Sequence, residues 1–372
     1  MIPVNTPLFV GNEKKYLNEC IDTGWISSEG PFVKSFEEQK ASYIGRKYAT
    51  ACSSGSAALD LAVKALGLKD GDEVIMPSFT IISCAQSLVT QGIKPVLVDS
   101  NFDTFNVKVD DIESAITSQT KAIMIVHIYG LSVDIDPILL IAKKYNLKII
   151  EDAAEVIGQT YKGKKCGSFG DVSTFSFYPN KHITTGEGGM VLTDDYEIDK
   201  KLKSARNLCF SPDIEKRFIH DDLGWNYRMT NIQAALGVAQ LEQIDKFIEK
   251  KRHIGNTYNR LLKDIKWINL PLIKTHYCEN IYWVYTITLK DNFKKTAKEV
   301  MVELANFGIG TRPFFYPIHK QPVLSKMGLF INEHYPNADK LYERGFYIPS
   351  GLALCDEELN EVSSVLHKVF KL

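Results

Sequence analysis

The chain reads as an α/β protein: a large, mostly parallel sheet comes first and a smaller α+β unit follows. Three observations predict this. Between about residues 50 and 195, short β-rich runs alternate with helical stretches, the pattern that covers a parallel sheet with helices on both faces. A long helical stretch over 231–265 then breaks the alternation, and the elements beyond it follow no doubly wound order. The length, 372 residues at 45% hydrophobic, is enough to bury two such units.

The β-rich runs fall at 73–76, 95–99, 122–127, 148–151, 172–177 and 190–193. Helical patterns lie between them at 57–65, 83–89, 109–116 and 137–145. From Asn231 an apolar stripe continues through Leu241, Ile244 and Phe247, as one long helix or two joined ones. A β-rich segment at 282–289, a helix near 297–307, a strand-like stretch at 309–315 and a last helix around 357–370 complete the second unit. The expected division is 1–245 and 246–372. Ligands in sheets of this kind sit outside the carboxyl ends of the strands.

Composition narrows the function. Lys plus Arg (44) nearly balances Asp plus Glu (45), and no basic block with interleaved aromatics occurs, so nucleic acid is not an expected partner. No run of about 18 apolar residues could span a bilayer. The amino-terminal residues lack the pattern of a signal peptide. Seven scattered cysteines without a C-x-x-C pair read as reduced thiols in a cytoplasmic enzyme, and no ligand spacing predicts a metal.

The decisive segment runs from Ser176 to Met190, SFYPNKHITTGEGGM. Lys181 ends an apolar, aromatic-rich strand and enters a glycine-rich turn. A lysine delivered from a buried strand suits an amine that condenses with a carbonyl, above all that of pyridoxal 5′-phosphate (PLP). A lysine that caps a hairpin is the plain alternative. Ser176 could bind the phosphate of the same cofactor. Ser53-Ser54-Gly55-Ser56 opens a helix, where free N–H groups bind phosphate or simply form an N-cap. Asp152, at the end of the 148–151 strand, could pair with a pyridinium nitrogen or cap the next helix.

These motifs, in this order, resemble the DegT/DnrJ/EryC1/StrS family of nucleotide-sugar aminotransferases. The likeness also takes in Gly24-Trp25-Ile26-Ser27-Ser28, Val126-His127-Ile128-Tyr129-Gly130, Asn226-Tyr227-Arg228-Met229-Thr230-Asn231 and the stretch from Gly308 to His319. It implies fold type I, the aspartate-aminotransferase architecture, with PLP as cofactor and homodimers that share active sites. By resemblance Lys181 is the lysine that carries the cofactor, and Asp152 partners its ring nitrogen. Gly55, Ser56 and Ser176 bind its phosphate, and Asn226 reaches the phosphate of the neighbouring subunit. Glu155 falls near the cofactor's 3-hydroxyl. Ile81 stands where the family usually stacks an aromatic residue, so the ring face loses stacking of about 0.5–1.5 kcal/mol. Phe79 is the nearby aromatic that could contribute instead.

Tyr316, His319, Arg228, Trp25 and Ser28 are candidate substrate contacts. A Thr-Thr-Gly-Glu-Gly-Gly ending resembles the branch that aminates C4 of a 4-keto-6-deoxy sugar nucleotide, with L-glutamate as donor. GDP-4-keto-6-deoxymannose is the expected substrate, and 8-oxo-3,8-dideoxy-manno-octulosonate is the alternative. The dehydratase branch replaces the lysine by histidine; here Lys181 is present and His182 follows it. A PLP-binding regulator without turnover is the reading from another class.

Overall fold

The computed structural model describes residues 1–211 and 213–371. Two helices, α1 (Glu13–Thr23) and α2 (Pro31–Ile44), precede the main sheet. Its strands are β1 (Tyr48–Cys52), β2 (Glu73–Pro77), β3 (Lys94–Val98), β4 (Thr120–Val126) and β5 (Lys148–Asp152). After a two-residue hairpin, β6 (Thr160–Tyr161) and β7 (Lys164–Lys165), the sheet is completed by β8 (Val172–Ser176) and β9 (Gly189–Thr193). The strand order is β1-β9-β8-β5-β4-β2-β3. Five of these strands, β3, β2, β4, β5 and β8, pair in parallel. Strand β9 runs antiparallel to both of its neighbours, β8 and β1.

Both faces of this sheet are buried, and β4 shows how. Ile123 and Ile125 enter one apolar core with Phe36, Phe175 and Val238. Ala122, Met124 and Val126 enter the other with Leu59, Leu61 and Met76. The period-2 alternation thus serves two cores, so such a strand reads as a continuous apolar run. The helices α3 (Gly55–Ala65), α4 (Ile82–Val89) and α5 (Ile135–Tyr145) connect strands, and α6 (Tyr196–Ala205) follows β9. The expected helix over 109–116 is two 3₁₀ turns instead, Val109–Asp111 and Glu113–Ala115. Apolar residues at Val109 and Ile112, three apart, satisfy a three-residue turn as readily as an α-helix.

The long helical stretch is two helices, α7 (Asn231–Leu241) and α8 (Ile244–Leu262). The first turns of α8 (Ile244, Phe247, Ile248) belong to a core of the main sheet. Its later turns (Ile254, Tyr258, Leu262) belong to a third core. That core is built on an antiparallel sheet of order β10-β11-β13-β12, from β10 (Ile268–Asn269), β11 (Tyr285–Leu289), β12 (Arg312–Pro313) and β13 (Gly345–Ile348). Helices α9 (Ala297–Asn306) and α12 (Asp356–Val369) pack in this core, whereas α10 (Pro322–Lys326) and α11 (Pro336–Arg344) bury Leu324, Ala338 and Leu341 in the second core of the main sheet. The amino terminus docks here as well: Ile2 exchanges 2.8 Å backbone bonds with Gly308 and Gly310.

One buried group bears on stability. Lys40 of α2 is fully buried, with Nζ 4.2 Å from the centre of the Phe175 ring. Among the described residues it has no hydrogen-bond partner. Burial lowers its pKa from 10.5 to about 7, and the nearby Lys165 adds to this. The folded state therefore binds this proton more weakly than the unfolded chain, so the penalty grows as pH falls from the ordinary lysine value towards 7, then levels off. Lys40→Met is expected to raise stability by about 1–3 kcal/mol at pH 7 and by progressively less towards pH 10. Denaturant melts across that range check this; a gain independent of pH would contradict it.

Candidate active site

A cavity of about 400 Å³ opens at the carboxyl ends of β4, β5 and β8 and at the start of α3. Lys181 enters it from the loop after β8. Its Nζ lies 3.8 Å from Glu155 Oε1 and 3.8 Å from the centre of the Trp283 ring. Burial lowers the Lys181 pKa, against the opposing pull of Glu155 and Asp152. Burial likewise pushes the Glu155 carboxyl up to about 7. Both partners are thus driven towards their neutral forms, which keeps a nucleophilic amine available. Glu155 is fixed by the Tyr129 N–H, which donates to Oε2 at 2.8 Å.

Asp152 ends β5 on the same cavity wall and is 4% exposed. The Ala154 N–H donates to Oδ1 at 3.0 Å, and the Cys84 thiol lies 3.5 Å from Oδ2. Burial pushes the Asp152 carboxyl up, while the Ala154 N–H and Lys181 pull it back. Burial also pushes the Cys84 thiol well up, so it keeps its proton and donates.

The opposite end is a cradle. Ser54 caps α3, its hydroxyl accepting from the Ala57 N–H at 3.1 Å. The amides of Gly55 and Ser56, in the first helical turn, have no carbonyl within the helix to reach. A Cβ on Gly55 would come within 2.7 Å of Ser176 Cβ, so only glycine lets β8 place that serine against the helix start. Ser56 Oγ meets Ser83 Oγ at 2.9 Å. Two buried polar atoms of lining residues, Thr174 Oγ1 and Asn180 Oδ1, have no hydrogen-bond partner among the described residues. An anion-binding helix start, a carboxylate and an amine around one cavity fit PLP at its phosphate, ring nitrogen and carbonyl.

Sequence reasoning missed part of this wall. Trp283, Phe315 and Tyr347 line the cavity from the unit built on the antiparallel sheet, and Cys84 backs Asp152 from α4. Ile81, 41% exposed, is on the cavity wall, whereas Phe79 is fully buried. The remaining candidates lie elsewhere in the chain. Asn226 is exposed and accepts from Arg228 Nε at 3.0 Å, on a segment whose Tyr227 carbonyl takes the Ser53 N–H. Trp25 is half exposed, and Ser28 borders a different surface hollow. Tyr316 and His319 border a third hollow, where His319 is buried 3.1 Å from the Asp339 carboxylate.

The DegT/DnrJ/EryC1/StrS aminotransferase family model matches residues 9–367. The chain belongs to this family. Among its relatives, GDP-perosamine synthase of Caulobacter vibrioides is 41% identical over 371 residues, covering 99% of this chain and 98% of that protein. The aminotransferase PseC of Helicobacter pylori, involved in the biosynthesis of pseudoaminic acid, superposes with a TM-score of 0.93 at 26% identity, covering 100% and 99% of the two chains. A variant of GDP-4-keto-6-deoxymannose-3-dehydratase with bound GDP-perosamine gives 0.91 at 27% identity, over 98% and 100%. This DegT-family chain is therefore a PLP-dependent sugar aminotransferase with the fold type I architecture.

The fold also gathers three groups that sequence spacing did not connect. His127, Glu151 and Cys166 come together behind Asp152, all fully buried. Glu151 accepts the N–H groups of Gly167, Phe169 and Gly170, and its Oε1 lies 3.2 Å from His127 Nε2. His127 Nδ1 accepts the Val133 N–H. With these donors and acceptors taken, the group is a hydrogen-bonded core beneath the site.

The cradle makes a direct prediction. Gly55→Ala should weaken PLP binding at least about tenfold, about 1.4 kcal/mol, by forcing Ser176 from the helix start. A cofactor titration checks it, and an unchanged affinity would contradict the cradle.

Proposed function

We propose that the chain moves an amino group from L-glutamate to C4 of GDP-4-keto-6-deoxymannose, as a homodimer in the cytoplasm. The observation that carries this reading is the full-length 41% identity to GDP-perosamine synthase. PLP, when bound, supplies the carbonyl that takes up the amino group and the ring that accepts the electron pair left by proton removal.

In this reading the residues divide the work. Lys181 Nζ holds the cofactor and, once displaced, takes the proton from the donor's α-carbon and later delivers one to the sugar C4. The Asp152 carboxylate would accept from the ring nitrogen and keep it protonated. The Gly55 and Ser56 amides and the Ser176 hydroxyl hold the phosphate, and Glu155 faces the 3-hydroxyl. Ile81, on the cavity wall, would cover one ring face. Trp283, Phe315 and Tyr347 exclude water, which strengthens each of these polar contacts.

The dimer supplies what one chain lacks at its cavity. Ile214, Phe218 and Leu223 are 83%, 80% and 84% exposed, an apolar cluster on the segment leading to Asn226. Such a surface supports burial against a second copy. There Asn226 would reach the partner's phosphate, and Arg228, Tyr316, His319, Trp25 and Ser28 would serve the sugar nucleotide. No helix among the described residues is long and apolar enough to cross a membrane.

L-glutamate should convert the PLP-loaded protein to its pyridoxamine form, seen in absorbance, and GDP-4-keto-6-deoxymannose should restore the starting spectrum. Restoration by 8-oxo-3,8-dideoxy-manno-octulosonate alone would replace the substrate assignment, and a PLP-loaded protein inert to glutamate would support a regulator. Lys181→Ala should lower turnover by at least about a thousandfold, a general-base and nucleophile loss.

A further inference from the structure

We propose that Lys251 is a positioning residue: from α8 it fixes the Tyr282–Trp283 corner so that the Trp283 indole covers the amine of Lys181. Lys251 is 3% exposed, and its Nζ donates to the Trp283 carbonyl at 2.8 Å and to the Ser350 carbonyl. Both of these acceptors of Lys251 Nζ are backbone carbonyls, and burial lowers the Lys251 pKa to about 7. A buried amine is costly to desolvate, and here its hydrogen bonds tie the two carbonyls to α8.

The corner it holds is strained. Tyr282 has φ +47°, a left-handed conformation that bulky residues avoid at a cost of order 1–3 kcal/mol. Two glycines make room for it. A Cβ on Gly255, one helical turn beyond Lys251, would come within 2.3 Å of the Tyr282 ring. A Cβ on Gly130 would come within 2.5 Å of the Trp283 backbone nitrogen. The Tyr282 N–H donates to Asn280 Oδ1 at 2.7 Å, and its hydroxyl accepts from Asn259 Nδ2 at 2.9 Å.

This corner presents Trp283 to Lys181 in two ways. The ring lies against Nζ, and Nε1–H donates at 2.7 Å to the carbonyl of Asn180, the residue before Lys181. The indole thus shields the amine and pins the backbone that carries it. The chain of contacts runs from α8 through Lys251 to Trp283 to Lys181, from one core to the other unit's cavity wall.

The inference rests on Lys181 being the reactive amine, and borohydride reduction of the PLP-loaded protein with peptide mapping tests that separately. The brace itself is read in the cofactor-free full chain, as the acetic anhydride labelling rate of Lys181 by mass spectrometry, with exposed Lys34 as internal control. Trp283→Leu and Lys251→Met should each raise the Lys181 rate at least about threefold, leave Lys34 unchanged, and together give no more than the larger single effect. Lys251→Arg, which keeps the donors, should return the rate towards the parent value. A folded Lys251→Met with parental labelling, or single effects that multiply in the double variant, would overturn the proposal. Should Lys251→Met fail to fold, Lys251→Gln and Lys251→Arg decide: a raised rate in the first only supports the brace, and parental rates in both overturn it.

Discussion

The site depends on one arrangement: a lysine amine kept out of water between a carboxyl group and an indole. An exposed lysine is protonated at neutral pH and cannot attack a carbonyl. At Lys181, burial opposes the charge while Glu155 and Asp152 favour it. The same burial raises Glu155 to about 7, so burial drives both groups towards their neutral forms. Every other feature of the cavity either maintains that dryness or aims a polar group into it.

Each wall has its own origin in the fold. Parallel strands β4, β5 and β8 end at one edge of the sheet, and that edge places Asp152 beside Ser176 and the loop to Lys181. The crossover into α3 brings a helix start to the same edge, with Gly55 small enough for Ser176 to approach. The antiparallel unit closes the remaining side with Trp283, Phe315 and Tyr347. Helix α8 joins the two, because its first turns pack in one core and its later turns in another.

Much of this was legible in the sequence, for reasons tied to particular residues. Strands buried on both faces are short continuous apolar runs, and all six predicted runs are strands. Lys181 and Asp152 stood out because a charged residue at the end of such a run contradicts its surroundings. Strand β1 was not read, since Tyr48-Ala49-Thr50-Ala51-Cys52 contains no Val, Ile or Leu and two alanines. The aromatic wall was hidden for another reason. Trp283 lies 102 positions from Lys181, and only the pairing of β11 with β13 brings Trp283 and Tyr347 to the same edge. The sequence also could not show that His319 lies against Asp339 and Tyr335, in a hollow other than that of Lys181.

The pKa of the Lys181 amine in the cofactor-free chain, followed by ¹⁵N NMR of labelled lysine, tests the central claim most directly. The arrangement predicts titration clearly below the ordinary lysine value of about 10.4, together with Glu155 titrating above the usual carboxylate range. A Lys181 that titrates at or above that ordinary value would contradict it, because the amine would then be an ion-paired cation rather than a shielded nucleophile.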